Sequence, residues 1–275
     1  MLLLLSLCGF LCALALFYFA YKAKPAGDKS GNSINPPSTG WQDQKASPRQ
    51  SVCIGTYNIQ SGKNIDGKRD LSRSAIVIKD CDIVGIQEVY AQTWLGRLTG
   101  IGSQAEQLAK ANDMGWLFAP TRRRWFREHR GNALLSSVTT KPWIIKMLPD
   151  NTGKQYRNLM STSIELDDVN VVLLVTHLHT KKGRQEQLKT VIDEFKRHEH
   201  AVLLGDLNTY PDNELISALL EDTAFNDALQ TSFPEHDHSQ RIDWIITKNL
   251  KATAAGYETI GVSDHPFYSV NLSLK

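Results

Sequence analysis

AVLLGDLNTYPDN (201–213) opens on four apolar residues, turns at Gly205, and presents Asp206 and Asn208 before Thr209, Tyr210 and Pro211. An apolar run this short, bounded by glycine and polar residues, reads as a buried strand with a carboxylate at its C-terminal end. The pattern recurs in both directions along the chain. Val52–Ile59 carries Asn58, Asp82–Val89 carries Glu88, and Val169–Thr176 runs into His177, while Thr162–Leu166, Ile242–Thr247 and Phe267–Leu274 are further apolar runs. Between them, Leu71–Ile78, Trp94–Ala111, Gln185–Phe195 and Glu214–Leu220 space their apolar residues by three and four, with Asp212 and Asn213 as cap residues for the last. Some strands are joined by such helices and others lie too close together for a crossover. The pattern therefore predicts an α/β domain of sheets packed face to face with helices outside.

The chain has 275 residues, 41% hydrophobic and 22% charged, a globular composition that excludes a disordered chain, a collagen-like repeat and a coiled coil. Lys and Arg number 31 against 29 Asp and Glu, a net charge of +2, so charge alone does not mark a polyanion binder. Of the 4 cysteines, Cys8 and Cys12 lie in an apolar leader, while Cys53 and Cys81 sit in hydrophobic runs and read as small buried hydrophobes.

Leu2 to Tyr21 contains no charge and is long enough to cross a hydrocarbon core of roughly 30 Å as one helix. A cleaved signal would need basic residues before it and a small-x-small site after it; Phe19-Ala20-Tyr21-Lys22-Ala23 is a poor site. Residues 1–24 are therefore expected to be a single-pass, uncleaved membrane anchor. The Lys22, Lys24 and Lys29 flank leans toward a cytoplasmic C-terminal side. From Pro25 to Gln50 the composition turns to Pro, Gly, Ser, Asn and Gln, the signature of a flexible linker, here 25–50. Residues 51–275 are then one catalytic-sized domain.

Taken singly, each polar strand end has an ordinary reading: Asn58 as a turn former, Glu88 as a solvated end, Asp206-Leu207-Asn208 as an Asx turn. Their recurrence points instead to a site, because a sheet fixes such groups while the adjoining loops leave them open to ligand. The ordered set TYNIQ (56–60), GIQEV (85–89), GNALLS (131–136), VTHLH (175–179), GDLNTYPDN (205–213), RIDWI (241–245) and SDHPF (263–267) resembles the endonuclease/exonuclease/phosphatase superfamily over nearly all of 51–275. The resemblance implies a four-layered α/β sandwich, two packed mixed sheets flanked by helices, preceded here by the N-terminal transmembrane helix. It also implies a phosphoesterase dependent on Mg²⁺ or Mn²⁺, a hard cation that oxygen donors hold. By that resemblance Glu88 is a direct metal ligand, with Asn58 beside metal and phosphate and Asp264 helping to hold the ion. Asp206 takes the proton of the attacking water and Asn208 orients it. His265, aligned by Asp243, donates to the phosphoryl oxygens, His177 is a further phosphate-facing histidine, and Asn132 is a polar contact near the site.

Other chemistries fit less well. His177-x-His179 on a strand would put both rings on one face, as in a zinc site, but Thr180-Lys181-Lys182-Gly183 lacks the ligands that should follow. His236-x-His238 reads as a solvated loop. No phosphate-binding glycine loop with lysine, no His-Glu-x-x-His and no complete serine elbow is present. The expected substrate is a phosphodiester, with nucleic acid first and a phospholipid or inositol-phosphate headgroup as the alternative; a catalytically silent, membrane-tethered binding module is a third reading. Arg122, Arg123, Arg124, Arg127 and Arg130, with Trp125 and Phe126 between them, could track a nucleic-acid backbone or grip a phosphorylated headgroup. No protein partner is inferable, and the expected partners are the substrate and the membrane.

Overall fold

The computed structural model of the protein describes residues 2–37, 49–92, 94–123, 130–150, 153 and 156–275. The first half contributes strands β1 (Lys24–Pro25), β2 (Lys29–Gly31), β3 (Ser51–Asn58), β4 (Ile83–Tyr90), β5 (Gly115–Arg123), β6 (Arg130–Ser136) and β7 (Trp143–Met147). The second contributes β8 (Asn158–Leu166), β9 (Val169–His177), β10 (Ala201–Asp206), β11 (Phe225–Asp227), β12 (Asp243–Lys248), β13 (Leu250–Glu258) and β14 (Phe267–Leu274). They form two 7-stranded sheets, ordered β1-β5-β6-β4-β3-β14-β13 and β11-β12-β10-β9-β8-β7-β2. Both are mixed: β3 pairs parallel with β4 and β9 parallel with β10, among antiparallel neighbours.

Three apolar clusters define the layers. The central one joins both sheets, with Ile54, Ile83 and Leu134 meeting Leu173, Val175 and Leu204. Gly85 permits this close approach, since a Cβ there would stand 2.5 Å from Leu204 Cδ1. On the outer face of the first sheet lie the helices α2 (Leu71–Ile78) and α4 (Gln104–Ala111), which bury Ile78 and Leu108. On the outer face of the second lie α5 (Arg184–Lys196) and α6 (Glu214–Leu220), burying Leu188, Phe195 and Ile216. The protein is thus an α/β sandwich of two packed mixed sheets flanked by helices.

Several expectations need correction. Trp94–Ala111 is not one helix: α3 (Trp94–Thr99) ends before Gly100, which takes φ +74°, and α4 restarts where the Ser103 hydroxyl accepts from Glu106 N. Of the two cap residues expected for α6, Asn213 is the one that caps, accepting from Leu215 N. The stretch 25–50 is not wholly a linker. Lys24 and Pro25 pair with Arg123 and Arg122, Lys29–Gly31 pair with Trp143–Ile145, and Ile34 is buried in the central core. The physical cause is pairing of main-chain groups at two sheet edges, which composition does not report. Residues 38–48 of that stretch lie outside the described residues, as do Arg124 and Arg127 of the basic segment.

The N-terminal helix α1 spans Leu2–Tyr21, and its described side chains, 8–18, are all exposed. Among the described residues no helix is long and apolar enough to cross a membrane.

Candidate active site

Four strand ends converge. Asn58 closes β3, His177 closes β9, Asp206 closes β10 and Asp243 opens β12, all but buried. The β9–β10 register sets His177 opposite Asp206, and the β10–β12 register sets Asp206 opposite Asp243. Gly205 is needed just before Asp206, because it takes φ +136° and a Cβ there would collide with the Thr176 carbonyl oxygen.

Asp206 is the hub. Its Oδ2 accepts from Asn58 Nδ2 at 3.0 Å and lies 3.3 Å from His177 Nε2 and 3.8 Å from His265 Nε2. Its Oδ1 accepts from the main-chain N of Asn208 at 2.9 Å. Burial pushes the Asp206 carboxyl up to about 7, the charge of Asp243 adding, while His265 and the hydrogen bonds from Asn208 and Asn58 pull it back. His177 is driven the other way, well below its ordinary value, by burial and then by Arg157 and Arg130. It is therefore neutral, with Nε2 the ring nitrogen turned toward Asp206.

His265 contacts Asp243 Oδ2 through Nδ1 at 2.8 Å, and its Nε2 stands 3.4 Å from Asn58 Nδ2. Burial alone would lower this imidazole; the hydrogen bond and charge of Asp243, with Asp206 and Asp264, raise it to about 9. The ring is a cation at neutral pH, held between two carboxylates. Ser263 supports the loop beneath it, donating from Oγ to the Asn58 carbonyl at 2.7 Å. Asn208, at φ +48°, donates its Nδ2 to the Leu178 carbonyl at 3.1 Å.

The remaining expected residues are placed differently. Glu88 takes φ +60° where β4 slips its register against β6 between Ile86 and Val89, a bulge that re-aims its side chain, and it pairs with Arg130. Asp264 is exposed, accepting from Gln60 Nε2 at 2.7 Å. Asn132 is buried and donates to Asn158 Oδ1 at 3.0 Å, a contact that ties β6 to β8. His179 accepts from Lys181 N at 2.9 Å and stabilises its own turn. His238, expected in a solvated loop, is buried against the Phe233 carbonyl at 2.8 Å.

Among the described His, Cys, Asp and Glu side chains, the group able to gather around an ion is Asp206, Asp243 and His265, with ligand atoms within 4.8 Å of one another. Asp243 Oδ1 is buried with no hydrogen-bond partner among the described residues, an acceptor that a hard cation would satisfy. Glu88 and Asp264 do not join that group; Glu88 lines an adjoining cavity of about 200 Å³ with Thr121, Arg122, Arg130, Tyr156, Arg157 and Thr180. Arg157 escaped the sequence reading because it is a lone basic residue that only the fold brings beside Arg122 and Arg130.

The profile of the Endonuclease/Exonuclease/phosphatase family matches residues 55–265, which include every one of these site residues. The chain belongs to that family. Its members are generally hydrolytic phosphoesterases and typically depend on a divalent metal. Among solved structures, the endonuclease/exonuclease/phosphatase of Beutenbergia cavernae DSM 12333 is similar at 22% identity and TM-score 0.66, over 82% of this chain and 72% of that one. The human Nocturnin catalytic domain, solved with a bound sulfate anion, is similar at 16% and 0.56, over 82% and 94%. Truncated Caenorhabditis elegans TDP2 is similar at 18% and 0.53, over 81% and 97%. At these identities the likeness is one of fold. A comparison with curated proteins finds no match.

Proposed function

We propose that this family member is a divalent-metal-dependent phosphodiesterase anchored in a membrane. The observation that carries the chemistry is Asp206, a buried carboxylate raised toward neutrality and ringed by Asn58, His177 and the Asp243–His265 ion pair. A carboxylate so poised can take a proton from water near neutral pH. The His265 cation meets negative charge on the phosphoryl oxygens, and Asp243 keeps that ring charged and oriented. Asn58, Asn208 and His177 orient substrate and water. Glu88, Asn58 and Asp264 are the residues proposed to hold Mg²⁺ or Mn²⁺, with Asp206 and Asp243 at hand as further oxygen donors. Such an ion would polarise the phosphoryl group and acidify water.

The anchor reading rests on the sequence, the charge-free apolar run 2–21, and on the exposed apolar side chains Phe10, Leu11, Leu14, Leu16 and Phe17 within its described part, 8–18. The test uses the full chain. It should partition with membranes and resist carbonate extraction, and should hydrolyse bis(4-nitrophenyl) phosphate with Mg²⁺ and stop in chelator. Asp206→Asn should cut kcat by roughly 100- to 10,000-fold with little change in KM, the scale of a lost general base. Glu88→Gln should raise the Mg²⁺ concentration needed for half-maximal rate. Full activity in chelator, or wild-type kcat in Asp206→Asn, would sink the mechanism.

A further inference from the structure

The cavity lined by Glu88 also carries arginines that the proposed reaction leaves unused. Arg122 and Arg130 come from paired positions at the ends of β5 and β6, and Arg157 comes from the residue before β8. Among the described lining residues three arginines share one carboxylate, Glu88, which is already paired with Arg130. The Nε atoms of Arg130 and Arg157 are buried and make no hydrogen bond to any described residue. Arg157 is lowered to about 10 by burial, with Arg130 and Arg122 pushing the same way against Asp206 and Glu88. Like charges held this close, with donors unsatisfied, are the arrangement of an anion site, and guanidinium forks match phosphate oxygens in particular. Asn58, Asp206, Asn208, Asp243 and His265 do not line the cavity, so it meets the reaction centre through the proposed metal ligand Glu88 and extends beyond it.

One wall of the cavity also fixes where it lies on the molecule. Only Lys22 and Ala23 separate the end of α1 from β1, and β1 pairs Lys24 with Arg123 and Pro25 with Arg122. Four Cα steps from Tyr21 to Pro25 span at most about 15 Å and the strand spacing to Arg122 adds about 5 Å, so the cavity wall sits within roughly 20 Å of the helix end. Resting on the anchored-phosphodiesterase reading above, we infer that the Arg122–Arg130–Arg157 cavity binds a second phosphate group of the substrate, and that the substrate is a phospholipid whose headgroup carries that phosphate beside the scissile diester.

The test reconstitutes the full chain into phosphatidylcholine vesicles containing either cardiolipin, which has two phosphodiesters, or phosphatidylglycerol, which has one. Wild type should turn over cardiolipin with at least 10-fold higher kcat/KM than phosphatidylglycerol. Arg157→Gln and Arg122→Gln should shrink that ratio by up to about 10-fold, toward parity, the scale of a lost charge-assisted hydrogen bond. Because the wild-type preference needs no variant, a variant that fails to fold leaves the inference exposed. Equal turnover of the two lipids, or a preference unmoved in folded variants, overturns the subsite. A DNA oligonucleotide cleaved in preference to both lipids overturns the lipid assignment. Turnover of bis(4-nitrophenyl) phosphate in the same vesicles separates the readings: if that too is absent, the phosphodiesterase reading itself has failed.

Discussion

Asp243 and His265 illustrate how one contact sets both chemistry and stability. The imidazole titrates near 9 in the fold, against about 6.5 when exposed, chiefly through its hydrogen bond to a buried carboxylate. A raised histidine binds its proton more tightly folded than unfolded. Its contribution to stability is therefore fully present below about pH 6.5 and is lost as pH rises through about 9. In metal-free protein, NMR titration of the His265 ring should give a midpoint near 9, and Asp243→Asn should move it downward, because an amide orients the ring without favouring its charge. An unshifted midpoint in Asp243→Asn would show that Asp243 does not set the charge. These residues were legible in advance because each stands at a motif position next to an apolar run. Arg157 was not, since nothing local marks it, and the bond of Asn132 across the sheet sandwich to Asn158 is a partner that its own strand does not announce.

At the scale of elements, two irregularities aim the site. The bulge at Glu88 turns one side chain out of β4, and Gly205 lets β10 press against β9 so that Asp206 meets His177. Gly205→Ala should then destabilise the protein by at least about 1–3 kcal/mol, since it forces a disfavoured φ and a clash with the Thr176 carbonyl. Urea unfolding measures it, and a midpoint equal to wild type would show that the backbone relaxes freely there. Sequence patterning found β3, β4, β8, β9, β10, β12 and β14, whose apolar runs are largely buried, but not β7 or the interior strand β6, where only Ala133, Leu134 and Leu135 are apolar in sequence. It missed β5, interrupted by Pro120 and ending in arginines, and β13, whose Ala, Lys and Thr residues lie largely exposed at a sheet edge. Edge strands are held by main-chain pairing and carry little apolar signal.

The whole molecule shows the same limit at its N-terminus. Apolar content divides the chain into leader, polar stretch and domain, yet the polar stretch begins by completing both sheets. The Ile34 main chain donates to Thr140 Oγ1 and accepts from Thr140 N, both at 3.0 Å, its side chain enters the central core, and Asp28 Oδ1 accepts from Met147 N at 2.7 Å. A catalytic unit cut at residue 51 would therefore lose two edge strands and leave the pocket of Ile34 open. Burying an isoleucine stabilises by about 1.5–3 kcal/mol, and the lost pairing adds to that. Residues 24–275 and residues 51–275, each unfolded in urea at one pH, should differ by at least this much, with the shorter fragment the weaker. The difference should persist at high salt, because its source is apolar burial and main-chain hydrogen bonding, with surface charge a minor part. Coincident midpoints for the two fragments would mean that residues 24–50 add nothing to the fold, and the tight coupling of α1 to the β5 edge would lose its physical basis.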